Sequence, residues 1–141
     1  MIIKQIKIGF DNFSYVIFDD KSKKATVIDP STSINKTHCI LESKKLELKY
    51  IINTHHHVDH TSKNKKLREL HSNAKIVASE REYGTSNVKI DIKVNDNSKL
   101  YVGNICLDFL LTPGHSTDGL CIIADNKALF TGDTLFIDDC G

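Results

Sequence analysis

Apolar and polar positions alternate through the first third of the chain. Ile2 to Ile8, Phe13 to Phe18 and Ala25 to Ile28 read as three short strands, parted by Gly9-Phe10-Asp11-Asn12 and Asp19-Asp20-Lys21-Ser22. Asp29-Pro30 stops the third run. Ser31 to Ser33 offer N-cap candidates for a helix over about Asn35 to Leu46, with Ile34, Ile40, Leu41 and Leu46 on its apolar face. Tyr50-Ile51-Ile52-Asn53 is a short apolar strand that runs straight into a histidine-rich segment. Lys63 to His71 reads as a second helix with Leu67 and Leu70 turned inward, Lys75 to Ala78 as a buried strand and Glu80 to Tyr83 as a helical turn. Strands then return at Val88 to Ile92, Lys99 to Val102, Ile105 to Leu111, Leu120 to Ala124 and Ala128 to Phe130, with hairpin turns at Gly103-Asn104 and Asp125-Asn126. Strands, helix, strand, helix and a final run of strands predict one mixed α/β domain over residues 1–141, its sheets packed between helices.

Composition changes this picture little. The chain has 141 residues, 40% hydrophobic and 26% charged, enough for a core of its own. Nineteen basic against 18 acidic residues argue against nucleic acid or an anionic membrane as a partner held by bulk charge. No apolar run approaches the ~18 residues of a transmembrane helix, and MIIKQIKIGF lacks the apolar core of a signal peptide, so the default compartment is the cytosol. There the four cysteines are expected as free thiols. Cys39, Cys106 and Cys121 fall in apolar or amphipathic segments as small core residues, while Cys140 sits near the chain end.

The chemistry concentrates in Thr54-His55-His56-His57-Val58-Asp59-His60. His55 and His57, two apart after a strand, can turn their imidazoles to one ion from the same side. Asp59 and His60 follow within a turn, placed to serve a second ion or to orient the first. Imidazole and carboxylate are the usual ligands of catalytic zinc. A solvated histidine loop gives no reason to crowd ionisable groups in this way. Two later segments fit the same pattern. Thr112-Pro113-Gly114-His115 ends an apolar strand and presents a histidine, and Thr131-Gly132-Asp133 ends another and presents a carboxylate. His56 faces away from its neighbours by alternation, as a solvent-facing or supporting group. His38 and His71 fall on predicted helices and read as surface residues. Asp29 reads equally as a group orienting a ligand loop and as a turn residue before proline.

In this order THHHVDH, TPGHS and TGDTLF resemble the metallo-β-lactamase superfamily signature, with its H-x-H-x-D-H motif, a later histidine and a bridging aspartate. DNFSYVI, VIDP and GDTLFIDDCG are similar to the glyoxalase II (hydroxyacylglutathione hydrolase) and persulfide dioxygenase branch. The resemblance implies an αββα sandwich, present here mainly as its N-terminal half. It implies His55, His57 and His115 on a first metal, Asp59 and His60 on a second, and Asp133 between the two. It implies zinc, two ions in a complete site, and hydrolysis of a small-molecule thioester by metal-activated water, with Asp59 and Asp133 as the catalytic carboxylates. The dioxygenase branch implies instead one iron, Fe2+, on His55, His115 and Asp133, acting on a persulfide. The family supplies a further histidine and substrate-binding helices from its later half. No histidine follows His115 here, which leads to the expectation of an incomplete domain, and to a non-catalytic metal-binding fragment as a third alternative.

Overall fold

The computed structural model describes residues 1–9, 12–32, 34–82 and 88–141. Two sheets stack face to face. The larger has the order β1-β2-β3-β4-β5-β6, from β1 (Ile2–Ile8), β2 (Asn12–Phe18), β3 (Lys24–Ile28), β4 (Glu47–Ile52), β5 (Lys75–Ser79) and β6 (Ile92–Val94). The smaller has the order β10-β9-β8-β7, from β7 (Lys99–Val102), β8 (Ile105–Leu111), β9 (Leu120–Ala124) and β10 (Ala128–Phe130). β1, β2 and β3 form an antiparallel meander. β3 to β6 then run parallel, so their connections must cross over, and those from β3 to β4 and from β4 to β5 do so through helices. These are α1 (Ile34–Ser43), a single turn α2 (Val58–Thr61) and α3 (Asn64–Leu70).

Period-two alternation sorts the side chains into two layers. Ile17, Ile28, Ile52, Val77 and Val94 point inward and meet Val102, Ile105, Leu107, Phe109, Leu120 and Ile122 of the smaller sheet. Val16, Phe18, Ala25, Val27, Ile51 and Ile76 point outward, under Leu41 of α1 and Leu67 of α3. Neighbouring residues such as Ile51 and Ile52 therefore serve different cores, which is why β4 ends in the apolar run Tyr50-Ile51-Ile52. Among the described residues helices cover the larger sheet alone, rather than both sheets as the element order predicts. Tyr101, Leu110 and Leu129 of the smaller sheet are exposed. No described helix is long and apolar enough to cross a membrane.

The strands lie where the hydrophobic pattern puts them, with one exception. Val88 and Ile90 pack against the outer core without forming a strand, and β6 begins only at Ile92. Asp91 accounts for the delay: its carboxylate accepts the N–H of Ile76 (2.9 Å) and pairs with Arg68 (2.9 Å), occupying a ladder position with a side chain. α1 stops at Ser43, short of the predicted Leu46. Lys45 takes a left-handed φ of 53°, and the N–H groups of Lys45 and Leu46 return to Glu42 O (3.0 Å) and Leu41 O (2.9 Å), a Schellman ending that still buries Leu46. The second predicted helix is found as α3, with the single turn α2 lying before it in the histidine-rich segment, and Leu70 is exposed rather than inward. The cysteines also depart from expectation: all four are free, yet of the three assigned to the core only Cys121 is buried, Cys106 is half-buried and Cys39 is exposed. Ser33, Tyr83 and the Phe10-Asp11 part of the first turn lie outside the described residues.

Both expected hairpins form, each with the backbone its residues permit. Gly103 has φ 64° and Asn104 does not share the positive sign, the II′ pattern. Asp125 (φ 50°) and Asn126 (φ 52°) are both left-handed, as in a I′ turn, and Lys127 N–H reaches Ala124 O at 2.9 Å. The first hairpin is tied to the other sheet through Asp19. Its carboxylate accepts the N–H (3.0 Å) and the side-chain amide (2.7 Å) of Asn104, and the hydroxyl of Ser22 (2.8 Å). These donors, the Asn104 N–H foremost, hold the Asp19 carboxyl far below the usual carboxylate range.

Candidate metal centre

Four strand ends converge at one edge of the sandwich: those of β3 (Asp29), β4 (Asn53 to His60), β8 (Thr112 to His115) and β10 (Thr131 to Asp133). For the parallel strands this is the carboxyl edge, where open α/β sheets place their sites. Strand and core rigidity fixes where each loop leaves the sheet.

His55 is buried. Its Nε2 lies 3.0 Å from His57 Nδ1, and His115 Nε2 lies 3.0 Å from the same atom. Ligand atoms of His55, His57 and His115 thus fall within 4.8 Å of one another, as do those of His55, His60 and Asp133. His60 Nδ1 lies 3.0 Å from Asp29 Oδ2. Its Nε2 is 3.1 Å from Asp133 Oδ1 and 3.6 Å from Asp59 Oδ2. That Nε2 is buried and makes no hydrogen bond. A buried imidazole nitrogen facing two carboxylates without a bond to either suits a metal ligand, and the nitrogen–carboxylate donor set suits zinc or iron. Asp133 Oδ2 stands 3.5 Å from His115 Nε2, so this aspartate faces both histidine groups. Asp59 is exposed and belongs to neither group of three; Asn12 donates to its Oδ2 at 2.5 Å.

The local backbone explains these positions. Asp29 sits at φ 51°, a left-handed conformation that aspartate tolerates better than most residues, and its carboxylate is buried. Oδ1 accepts the Thr54 N–H (2.8 Å), and Oδ2 accepts the Thr54 hydroxyl (2.7 Å) beside His60 Nδ1. Asp29 is therefore at once a strained turn residue and a group that orients the histidine loop. Thr54 Oγ1 is also 3.1 Å from His55 Nδ1. Gly132, at φ 51°, leaves room for this threonine, since a Cβ there would stand 2.5 Å from Thr54 Oγ1.

Burial and charge divide the two buried imidazoles. Burial, helped by the neighbouring histidines, pushes His55 down to about 4. Burial opposes the charge on His60 as well, but Asp29, Asp133 and Asp59 outweigh it and lift His60 to about 9. Burial also raises Asp59, yet the charge on His60 and the Asn12 hydrogen bond prevail and hold it below its ordinary value.

The sequence reading missed three supports. Asp118, buried, lies 2.7 Å from His56 Nδ1 and ties the loop bearing His115 to the histidine loop, giving His56 its supporting role. Asn53 and Asn64 exchange amide hydrogen bonds (2.7 and 3.2 Å) and anchor the loop from both ends. No periodicity marks such residues; a polar side chain interrupting an apolar strand end, as at Asn53, is the available signal. His38 and His71, expected on the surface, are half-buried and touch each other, Nδ1 to Nε2, at 3.2 Å.

A cavity of about 460 Å³ opens beside His60 and Asp133, walled by Phe13, Tyr15, Phe130 and Phe136.

Residues 8–141 match the model described as the metallo-beta-lactamase superfamily. The chain is 38% identical over 152 aligned positions to the hydroxyacylglutathione hydrolase of Pelagibacter ubique, covering 100% of this chain and 58% of that protein. It is 35% identical over 135 positions to the probable polyketide biosynthesis zinc-dependent hydrolase PksB of Bacillus subtilis, covering 94% of this chain and 59% of that one. The crystal structure of ETHE1 from Myxococcus xanthus superposes with a TM-score of 0.85 at 28% identity, over 100% of this chain and 61% of that chain. The chain thus spans little more than half the length of these relatives.

Proposed function

The chain belongs to the metallo-beta-lactamase superfamily, and from that premise we propose that it carries the metal-binding half of a zinc-dependent hydrolase acting on small thioesters in the cytoplasm. The observation that carries this reading is the convergence of His55, His57 and His115 on one point, with His60 and Asp133 on an adjoining one. In the proposal His55, His57 and His115 hold the first ion, Asp59 and His60 the second, and Asp133 faces both. Zinc in such a donor set supplies a water acidified toward a pKa near ~7 and a Lewis acid for the acyl oxygen.

The protein's own groups do the rest. Asp29 takes the Nδ1 proton of His60 in a hydrogen bond, so that Nε2 is the nitrogen left for ligation. Asp59, held by Asn12 and kept ionised, accepts a hydrogen bond from the attacking water. The aromatic wall of Phe13, Tyr15, Phe130 and Phe136 receives the apolar part of the substrate and excludes bulk water. Hydrolysis breaks the C–S bond and forms a C–O bond; water supplies oxygen to the acyl carbon and a proton to the departing sulfur.

Glutathione thioesters are the first substrates to try, because a hydroxyacylglutathione hydrolase is among the relatives. The zinc-loaded protein is incubated with a hydroxyacyl-glutathione and with a simple acyl thioester, and thiol release is followed. Turnover that disappears in His57→Ala supports the proposal. A protein that binds zinc through these residues and releases no thiol refutes it. Iron content with oxygen uptake on a persulfide points instead to the dioxygenase reading, which places Fe2+ on His55, His115 and Asp133.

A further inference from the structure

We propose that His38, Glu42 and His71 form a second site for a divalent ion of the zinc class, a clasp between α1 and the end of α3 on the outer helical layer. These residues share none with the catalytic cluster. His38 and Glu42 lie four apart on α1, on one face of the helix. His71 is the first residue after α3, held there by its N–H bond to Leu67 O (3.0 Å). α3 leads away from the histidine loop, and His71 lies at its far end.

The geometry fits an ion. His38 Nδ1 and His71 Nε2 are 3.2 Å apart, and one ligand atom from each of the three residues lies within 4.8 Å of the others. Two nitrogens each about 2.0–2.1 Å from a tetrahedral zinc stand about 3.3 Å from each other. The rings meet edge to face, 5.3 Å between centroids at 62°, so their lone pairs can converge without stacking. Both histidines are half-buried and Glu42 is exposed, which leaves a solvent-side position for water as the fourth ligand. Two histidines and one carboxylate are an established zinc donor set. An ion there would fasten the two helices that cover the parallel strands, and would add stability by its binding free energy.

The test isolates this site. In the variant His55→Ala/His57→Ala/His60→Ala/His115→Ala the catalytic cluster loses all four of its histidines, so neither of its two groups can hold an ion. Metal-depleted protein is titrated with Zn2+ against a chromophoric chelator, and with Co2+ by visible absorption. One equivalent is expected, abolished by adding His38→Gln or His71→Gln and weakened at least tenfold by Glu42→Gln. Zinc is also expected to raise the midpoint of thermal unfolding in this background, and to lose that effect with His71→Gln. If that fourfold variant does not fold by circular dichroism, the comparison is made in the unmodified catalytic background, where His38→Gln and His71→Gln should each bind one equivalent fewer. Titrations indistinguishable from the parent in both histidine variants overturn the proposal.

Discussion

Asp29→Asn tests whether the buried carboxylate sets the histidine loop for metal binding. Asparagine keeps the shape and tolerates the left-handed φ of 51°, so the substitution removes charge without adding backbone strain. Three donors now meet the carboxylate: the Thr54 N–H at 2.8 Å, the Thr54 hydroxyl at 2.7 Å and His60 Nδ1 at 3.0 Å. The amide oxygen can keep the first. The amide nitrogen, placed where Oδ2 was, faces two donors and forces both to reverse. Thr54 can turn its hydrogen to His55 Nδ1, 3.1 Å away. His60 can accept at Nδ1 only by giving up that proton, which leaves the remaining hydrogen on Nε2. A hydrogen bond to a charged group contributes about 1.5–3 kcal/mol and a neutral one about 0.5–1.5, so two exchanges cost the metal-free protein about 2–3 kcal/mol.

The effect on metal is larger than that loss of stability suggests. With its hydrogen on Nε2, His60 can ligate only by breaking the new pairing, and loss of such a partner typically weakens metal affinity about 10–100-fold. Urea unfolding of the metal-free protein gives the first quantity and zinc competition the second. The ring-nitrogen chemical shifts of His60 report its tautomer directly. A variant that loses the expected stability but binds zinc within about twofold of the parent would reduce Asp29 to a turn residue and refute its role in setting the tautomer.

Gly132→Ala places a methyl 2.5 Å from Thr54 Oγ1 at a backbone φ of 51°, so it should destabilise by about 1–3 kcal/mol and weaken zinc binding by displacing Asp133; unfolding and competition titrations measure both, and an unchanged zinc affinity argues against a ligand role for Asp133. His60, raised to about 9, stabilises the metal-free fold fully below about pH 6.5, its unfolded value, and loses that contribution as pH rises through 9. His55, lowered to about 4, acts in the opposite range: stability falls as pH drops from about 6.5 toward 4, because the unfolded chain takes up a proton the folded one refuses. Since zinc must displace the His60 proton, its affinity should rise with pH up to about 9, with proton release seen by calorimetry in buffers of different ionisation heat; no release at pH 7 contradicts ligation by His60. Asp118→Asn weakens the 2.7 Å contact with His56, so amide exchange in residues 114–119 should accelerate and zinc affinity drop several-fold while β8 and β9 keep their protection.

Much of this architecture is legible in the chain because burial leaves a simple periodic trace. β1, β7, β8, β9 and β10 fall on the residues expected of them, and the carboxyl ends of β3 and β4 are marked by Asp29 and Asn53 breaking apolar runs. The histidine-rich segment and the two later strand-end motifs are compact enough to be read without a fold. The misreadings have local physical causes. Lys45 ends α1 by adopting a conformation usually left to glycine, so nothing in the sequence marks the stop. Val88 and Ile90 carry a strand's side chains, but the Asp91 carboxylate takes the hydrogen bond that a strand would use. Leu70 and Cys39 are apolar in type yet sit on the outer sides of their helices, where a few residues of helical pattern fix the facing direction poorly. Asp118, Asn64 and the His38–His71 contact depend on where separate elements meet, and that information lies in the packing of the sheets and helices.

Thr54 shows how the site is held in shape by hydrogen bonds alone. Its N–H and hydroxyl bind Asp29 at the end of β3, and its carbonyl accepts the Leu120 N–H at the start of β9 (2.8 Å). Its hydroxyl touches His55 Nδ1, and the space beside it exists because residue 132, after β10, has no side chain. One buried threonine thus joins the larger sheet to the smaller and both to the histidines, while the reciprocal amides of Asn53 and Asn64 fix the loop on its other side. Each of these contacts replaces water at a buried polar group, so releasing any one leaves an unsatisfied atom costing about 1–3 kcal/mol. Imidazoles held this way lose little further freedom when an ion binds, and the ordering has been completed during folding. That is why the supports around the ligands, rather than the ligands alone, are expected to set the affinity.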